Sequence, residues 1–102
     1  MSDERYAEER VRGRGAQGVG PLRIMVELKA KGVPPEIITS ALASVEDSWG
    51  ERAVAARVKR FGGEPPQDRE ERARQARFLQ TRGFRHEDIM YAVMSRADHD
   101  DL

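Results

Sequence analysis

The stretch Leu28-Lys29-Ala30-Lys31-Gly32-Val33 returns 51 residues later as Leu79-Gln80-Thr81-Arg82-Gly83-Phe84. In the same register Glu36 falls on Glu87, Ile38 on Ile89, Ala41 on Ala92 and Leu42 on Val93. Each copy reads as the end of one helix, a glycine turn, a large apolar residue, an acidic first turn and a second apolar helix. Self-similarity at such a period is the signature of a repeat architecture. Glycine at positions 32 and 83 can take positive φ and reverse the chain. Val33 and Phe84 then fold back to plug the junction between the two helices. A looser match at a shift of 47 lays Tyr6-Ala7 and Arg10-Val11 on Ala53-Val54 and Arg57-Val58. The repeating unit is therefore three helices, used twice.

Working outward, the pattern predicts six helices and no strand, since no alternating run of β-branched and aromatic residues is present. The first helix spans about Asp3 to Arg12, capped by Ser2, and ends at the glycine-rich loop 13–20. The second starts at Pro21 and carries Leu22, Ile24, Met25 and Leu28. The third follows Pro34-Pro35 with Ile37, Ile38, Ala41, Leu42 and Val45. Asp47 or Ser48 caps the fourth, where Val54, Val58 and Phe61 line one face and Trp49, Ala53 and Ala56 flank it. Asp68-Arg69-Glu70-Glu71 is a capping box for the fifth helix, which carries Ala76, Phe78 and Leu79. The sixth starts near His86 and carries Ile89, Ala92 and Val93. The expected fold is all-α: tandem three-helix repeats in an elongated, curved array whose hand the sequence leaves open. Residues 1–46 make the first unit, 47–97 the second, and 98–102 an acidic, disordered tail.

Composition agrees with a thin array. Of the 102 residues 35% are charged and 38% apolar, so each layer exposes much and buries little. Net charge is zero, which excludes a strongly basic nucleic-acid binder. The charge is nonetheless uneven. Residues 51–85 hold ten basic and five acidic side chains, while 86–102 hold Arg96 against five carboxylates. The chain has no cysteine, hence no disulfide framework or thiolate chemistry. No apolar run is long enough to span a membrane and MSDERYAEER is no signal peptide, so a cytoplasmic protein is expected.

At this point the residues resemble the RecX proteins, regulators of the RecA recombinase. The likeness is carried by Tyr6-Ala7, Val11-Arg12, Arg14, Gly18, Gly20-Pro21, Leu22-Arg23, Glu27-Leu28 and Lys31-Gly32-Val33. It continues through Ala55 to Lys59, Phe78-Leu79, Arg82-Gly83-Phe84, Ile89 and Val93. That family usually carries three such units, and the resemblance begins at the second. It implies a non-enzymatic, monomeric regulator of recombination, DNA repair and the SOS response. Such a protein lies along the RecA–single-stranded DNA filament and limits ATP hydrolysis and strand exchange. The alternative is a helix-turn-helix module that binds single- or double-stranded DNA without RecA. Against it, no basic residue occurs from Pro34 to Gly50.

The candidate partner-binding residues are Arg12, Arg14, Arg57, Lys59, Arg60, Arg72, Arg74 and Arg77, with Gly20, Pro21, Gly32 and Gly83 as turn residues. Lys29, Lys31 and Arg82 are read as capping helix C-terminal carbonyls. Gly13-Arg14-Gly15-Ala16-Gln17-Gly18 matches a dinucleotide fingerprint, but a helix rather than a strand precedes it, so no cofactor is assigned. Trp49, Phe61, Phe78 and Phe84 sit where core packing needs them, and Tyr6 and Tyr91 at partly exposed core edges. Asp98-His99-Asp100-Asp101 and His86 lack ligand spacing, so no metal is assigned. No nucleophile, base and carboxylate constellation points to an enzyme.

Overall fold

The structure, a computed structural model, describes residues 2–94. Among them are six α-helices and no strand: α1 (Asp3–Ala16), α2 (Pro21–Ala30), α3 (Pro35–Ala43), α4 (Trp49–Phe61), α5 (Arg69–Thr81) and α6 (His86–Met94). A 3₁₀ turn, Glu46–Ser48, leads into α4. The acidic stretch 98–102 lies outside the described residues.

Both units pack alike. In the first, α1 rests most extensively on α3, and in the second α4 rests most extensively on α6, with α2 and α5 completing each trio. The molecule measures 46 × 27 × 19 Å, with a radius of gyration of 14.4 Å. A globule of this length would have about 13 Å, so the array is elongated.

The glycine turns are the same device twice. Gly32 and Gly83 have φ of 82° and 96°. Val33 N–H donates to Leu28 O at 3.1 Å and Gly32 N–H to Lys29 O at 3.0 Å. Phe84 and Gly83 donate likewise to Leu79 and Gln80. These are the paired bonds of a Schellman motif, satisfying carbonyls that a helix end leaves orphaned. Val33 and Phe84 are buried, plugging their junctions.

Three helix expectations need correction. First, α1 runs on through Gly13 and Gly15 to Ala16 instead of ending at Arg12. Each interior glycine disfavours helix by about 1 kcal/mol. Tertiary contacts outweigh that cost: Arg14 is pinned to Glu27 and Arg52 crosses Gly15. Only Gly18, at φ 84°, turns the chain. Second, Ser48 does not cap α4 with its side chain, because its hydroxyl donates to Val45 O at 2.8 Å. Third, the α5 capping box is half made. Asp68 accepts from Glu71 N–H at 2.8 Å, but the Glu71 carboxylate turns to Arg74 and Gln75.

The core also differs in detail. Trp49, Ala53, Ala56 and Val54 are buried, while Val58 and Phe61 are half-buried, so the expected flank of α4 is its core face. Leu22 is exposed, leaving Ile24 and Leu28 to face inward from α2. Tyr6 is half-buried, but Tyr91 is exposed, its hydroxyl donating to Glu51.

Candidate partner-binding groove

The two units meet through a thin joint. Among the described residues no helix of one packs broadly on a helix of the other. The joint is built from hydrogen bonds to main chain. Gly20 N–H donates to Arg82 O at 2.8 Å and Leu22 N–H to Gly83 O at 2.9 Å. Arg82 donates through Nε to Gly18 O at 3.0 Å and through Nη2 to Gln17 O at 2.9 Å. Arg52 Nη1 donates to Val11 O at 3.2 Å. The Trp49 indole N–H reaches Leu42 O at 3.4 Å, and Val19 is buried beside the turn.

Beside this joint opens a groove of about 490 Å³. Arg52, Ala55, Ala56, Lys59 and Arg60 line it from α4, at spacings of three, four, seven and eight that put them on one helix face. The α1 C-terminal stretch Gly15–Gly18 forms the facing wall, and Phe78 and Arg82 close it. Among the described residues four cations and no carboxylate line it, so they make its field positive.

Each cation is held differently. The Arg52 guanidinium lies 5.0 Å from the Trp49 ring centroid. Burial, and then the neighbouring Arg12, push its pKa below the usual arginine value. A Cβ on Gly15 would overlap the Arg52 guanidinium, so the missing side chain is what lets Arg52 cross α1. Arg60 lies 4.9 Å from the Phe61 ring and 5.9 Å from the Phe78 ring, and these rings meet edge to face at 5.4 Å. Lys59 is exposed and makes no ion pair among the described residues.

Of the expected partner-binding residues, the structure brings Lys59 and Arg60 into this groove. Arg12 is exposed on α1 and its charge is felt at Arg52, while Arg72 and Arg77 lie on α5 outside the groove lining. Arg72 Nε is buried and has no hydrogen-bond partner among the described residues. Arg14 is bound to Glu27 through Nε at 3.1 Å and Nη2 at 2.8 Å; this raises its pKa, although burial acts against the rise. Arg74 grips Glu71 with two bonds of 3.0 and 2.9 Å and lies over Phe61.

Arg57 is a correction. Its side chain is fully buried and is not presented to a partner in this structure. Its Nε donates to Ala92 O at 3.0 Å, and its Nη1 to Glu64 O at 3.1 Å and Gln75 Oε1 at 3.3 Å. Position 57 follows Trp49 by eight and Ala53 by four, which puts it on the core face of α4. There it ties α4 to α5, α6 and the loop between α4 and α5.

Sequence reasoning missed Arg52 and Arg82 as groove residues. The spacing of Arg52 to Lys59 and Arg60 was an available signal. Arg82 does not cap its own helix end: it binds the carbonyls of Gln17 and Gly18, just past the end of α1 in the other unit; Lys29 and Lys31 are exposed and their side chains make no carbonyl bond among the described residues. Among the described residues no group of three or more His, Cys, Asp and Glu could hold a metal, and no helix is long and apolar enough to cross a membrane.

Comparison with known proteins adds the family. The model of the RecX second three-helix domain matches residues 2–42, and that of the RecX third three-helix domain matches residues 46–93. The Regulatory protein RecX of Halorhodospira halophila is 43% identical over 101 residues, covering 99% of this chain and 62% of the relative. That of Pseudomonas putida is 41% identical over 101 residues, covering 99% and 64%. That of Vibrio vulnificus is 37% identical over 97 residues, covering 95% and 63%. The chain thus spans a little under two thirds of these relatives' length. With both of its three-helix units matched in order by consecutive domains of one family, the chain belongs to the RecX family of regulatory proteins.

Proposed function

We propose that the chain is a non-enzymatic modulator that binds the RecA–single-stranded DNA filament in the cytoplasm and limits its ATP hydrolysis and strand exchange. Family membership supports this choice of partner. The observation that carries the reading is the inter-unit groove, with Arg52, Lys59, Arg60 and Arg82 on its walls and no carboxylate there among the described residues. A filament exposes phosphates and acidic side chains, and such a groove offers both of them charge-assisted hydrogen bonds. Arg12, Arg72 and Arg77 extend the positive field outside the groove. Arg14 and Arg74 are secondary, because Glu27 and Glu71 already engage them.

A filament pull-down with a DNA-stimulated ATPase assay tests this. The expected result is co-sedimentation with the filament and slower ATP hydrolysis. Neither effect at micromolar protein would end the proposal. The helix-turn-helix alternative finds no support in α3, whose single charged residue is Glu36. A recognition helix needs donors for phosphates and base edges.

A further inference from the structure

The groove cations differ from the arginines around them in lacking carboxylates. Arg10, Arg14, Arg23, Arg74 and Arg85 all sit in ion pairs. Arg52, Lys59, Arg60 and Arg82 have no carboxylate partner among the described residues. Main-chain carbonyls engage Arg52 and Arg82, and the Phe61 and Phe78 rings lie against Arg60. Yet the chain as a whole is neutral. Part of the balancing charge lies at the other end of the sequence, where Asp98, Asp100 and Asp101 follow Arg96.

That acidic segment is tethered beside the groove. The helix before it, α6, packs extensively on α4. Tyr91 donates its hydroxyl to Glu51, and its ring lies against Gly50. Glu51 precedes Ala55 by one turn, and Ala55 lines the groove. Met94, the last described residue, comes one turn after Tyr91 and is exposed. Extended chain advances about 3.3–3.6 Å per residue, which carries Asp98 about 13 Å and Asp101 about 23 Å from Met94. A helix with its side chains is about 10–12 Å across. The segment is therefore long enough to pass from the α6 side of α4 to the groove side.

We propose that the chain's own acidic segment 98–101 occupies the cationic groove and competes there with the protein's partner. Lys59, with no ion pair, and the unused guanidinium donors of Arg52 and Arg82 receive the aspartates. Tethering gives the segment an effective concentration in roughly the millimolar range, so pairs too weak to hold a free peptide suffice. A groove filled part of the time lowers partner affinity in proportion to the fraction left open. The competition, though not the contact, rests on the proposed reading of the groove as the partner surface.

The chain has no cysteine, so a nitroxide at Leu102→Cys is a single label. Paramagnetic broadening of backbone amides is read by NMR on the isotope-labelled protein. Broadening should reach Lys59 and also Gly18, on the wall that faces α4. It should vanish in the triple variant Asp98→Asn, Asp100→Asn, Asp101→Asn, and in about 1 M salt, where the Debye length is about 3 Å. The triple variant should bind the RecA–single-stranded DNA filament about three- to tenfold more tightly than the wild type. Broadening that spares Gly18 and Lys59, or that survives the triple variant unchanged, overturns the contact. So does broadening passed from a nitroxide-bearing copy to an isotope-labelled copy without one, since the contact then lies between molecules. If Lys59→Glu weakens filament binding while the triple variant gains nothing, the competition is wrong and the groove reading stands. If Lys59→Glu leaves filament binding unchanged, the groove reading and the competition fail together, and the broadening alone decides the contact.

Discussion

The main-chain N–H of Gly20 donates to the carbonyl of Arg82 at 2.8 Å, so the start of α2 in one unit is bonded to the glycine turn of the other. This approach works because neither side has a side chain in the way. A Cβ on Gly20 would come within 2.4 Å of the Gly83 carbonyl carbon and the Phe84 nitrogen. A Cβ on Gly83 would come within 2.4 Å of Arg23 Cβ. Gly32, its counterpart in the first unit, has open space around the same position. Substituting alanine at Gly32 therefore meets only the left-handed backbone penalty of about 1–2 kcal/mol. Gly83→Ala meets that penalty and overpacking of about 1–3 kcal/mol besides. Urea denaturation should rank Gly83→Ala as clearly more destabilised than Gly32→Ala. Equal losses would show that the close approach of the units contributes nothing.

Arg57 is expected to matter for stability and not for partner contact. Truncation to alanine removes donors from Ala92 O, Glu64 O and Gln75 Oε1 in a buried site. Each buried acceptor left unsatisfied costs about 1–3 kcal/mol. Arg57→Ala should lose about 3 kcal/mol or more in chemical denaturation. At a temperature where Arg57→Met remains folded, filament affinity should match the wild type. A folded Arg57→Met with weakened affinity would restore Arg57 as a contact residue.

The contrast between Arg57 and Arg52 shows what could be read before the fold was known. Gly32, Gly83, Pro21 and Asp68 announce turns and caps because their chemistry is local: a positive φ, a fixed φ, an oxygen three residues before a free N–H. The helices between them follow from apolar spacing. Arg57 was legible in principle, since it falls on the face of Trp49 and Ala53. Its charge argued the other way, and only the converging carbonyls of three segments explain its burial. Arg82 and Gly15 were not legible at all as partners of α1 and Arg52. Those contacts cross between units, and no periodicity within one unit encodes how two units meet. The helical run of Gly13–Ala16 is not legible either, because the contacts that overcome glycine's low propensity are tertiary: Glu27 from within the unit and Arg52 from the other.

Stability of the first unit should fall in acid through Glu27. Its carboxylate accepts from Arg14 and lies near Arg10 and Arg23, with distances of 2.8, 3.4 and 3.8 Å. The Arg14 hydrogen bond holds the Glu27 pKa below the ordinary 4.5, against an opposing effect of burial. A depressed folded pKa means that the unfolded chain binds the proton more readily. The stabilisation is therefore full above pH 4.5 and is lost as pH falls through the lower folded value. Glu27→Gln should lower the urea midpoint at pH 7 and shrink the difference between pH 7 and pH 3. An unchanged acid slope in Glu27→Gln would remove this residue from the account.

Charge reversal in the groove should separate its cations from the paired arginines elsewhere. Lys59→Glu and Arg60→Glu put a carboxylate on a wall that has none among the described residues, so both should weaken filament binding strongly. If the contacts are to phosphates, each loss should also reduce the slope of log affinity against log salt by about one. Arg74→Ala should do much less, because in the free protein this side chain is already bound to Glu71 in a bidentate pair. Arg14→Ala should likewise act mainly on the Glu27 cluster and on stability. Binding titrations over a salt series distinguish the two groups. Arg14→Ala or Arg74→Ala matching Lys59→Glu in both affinity and slope would move the interface away from the groove and onto the outer faces of α1 and α5.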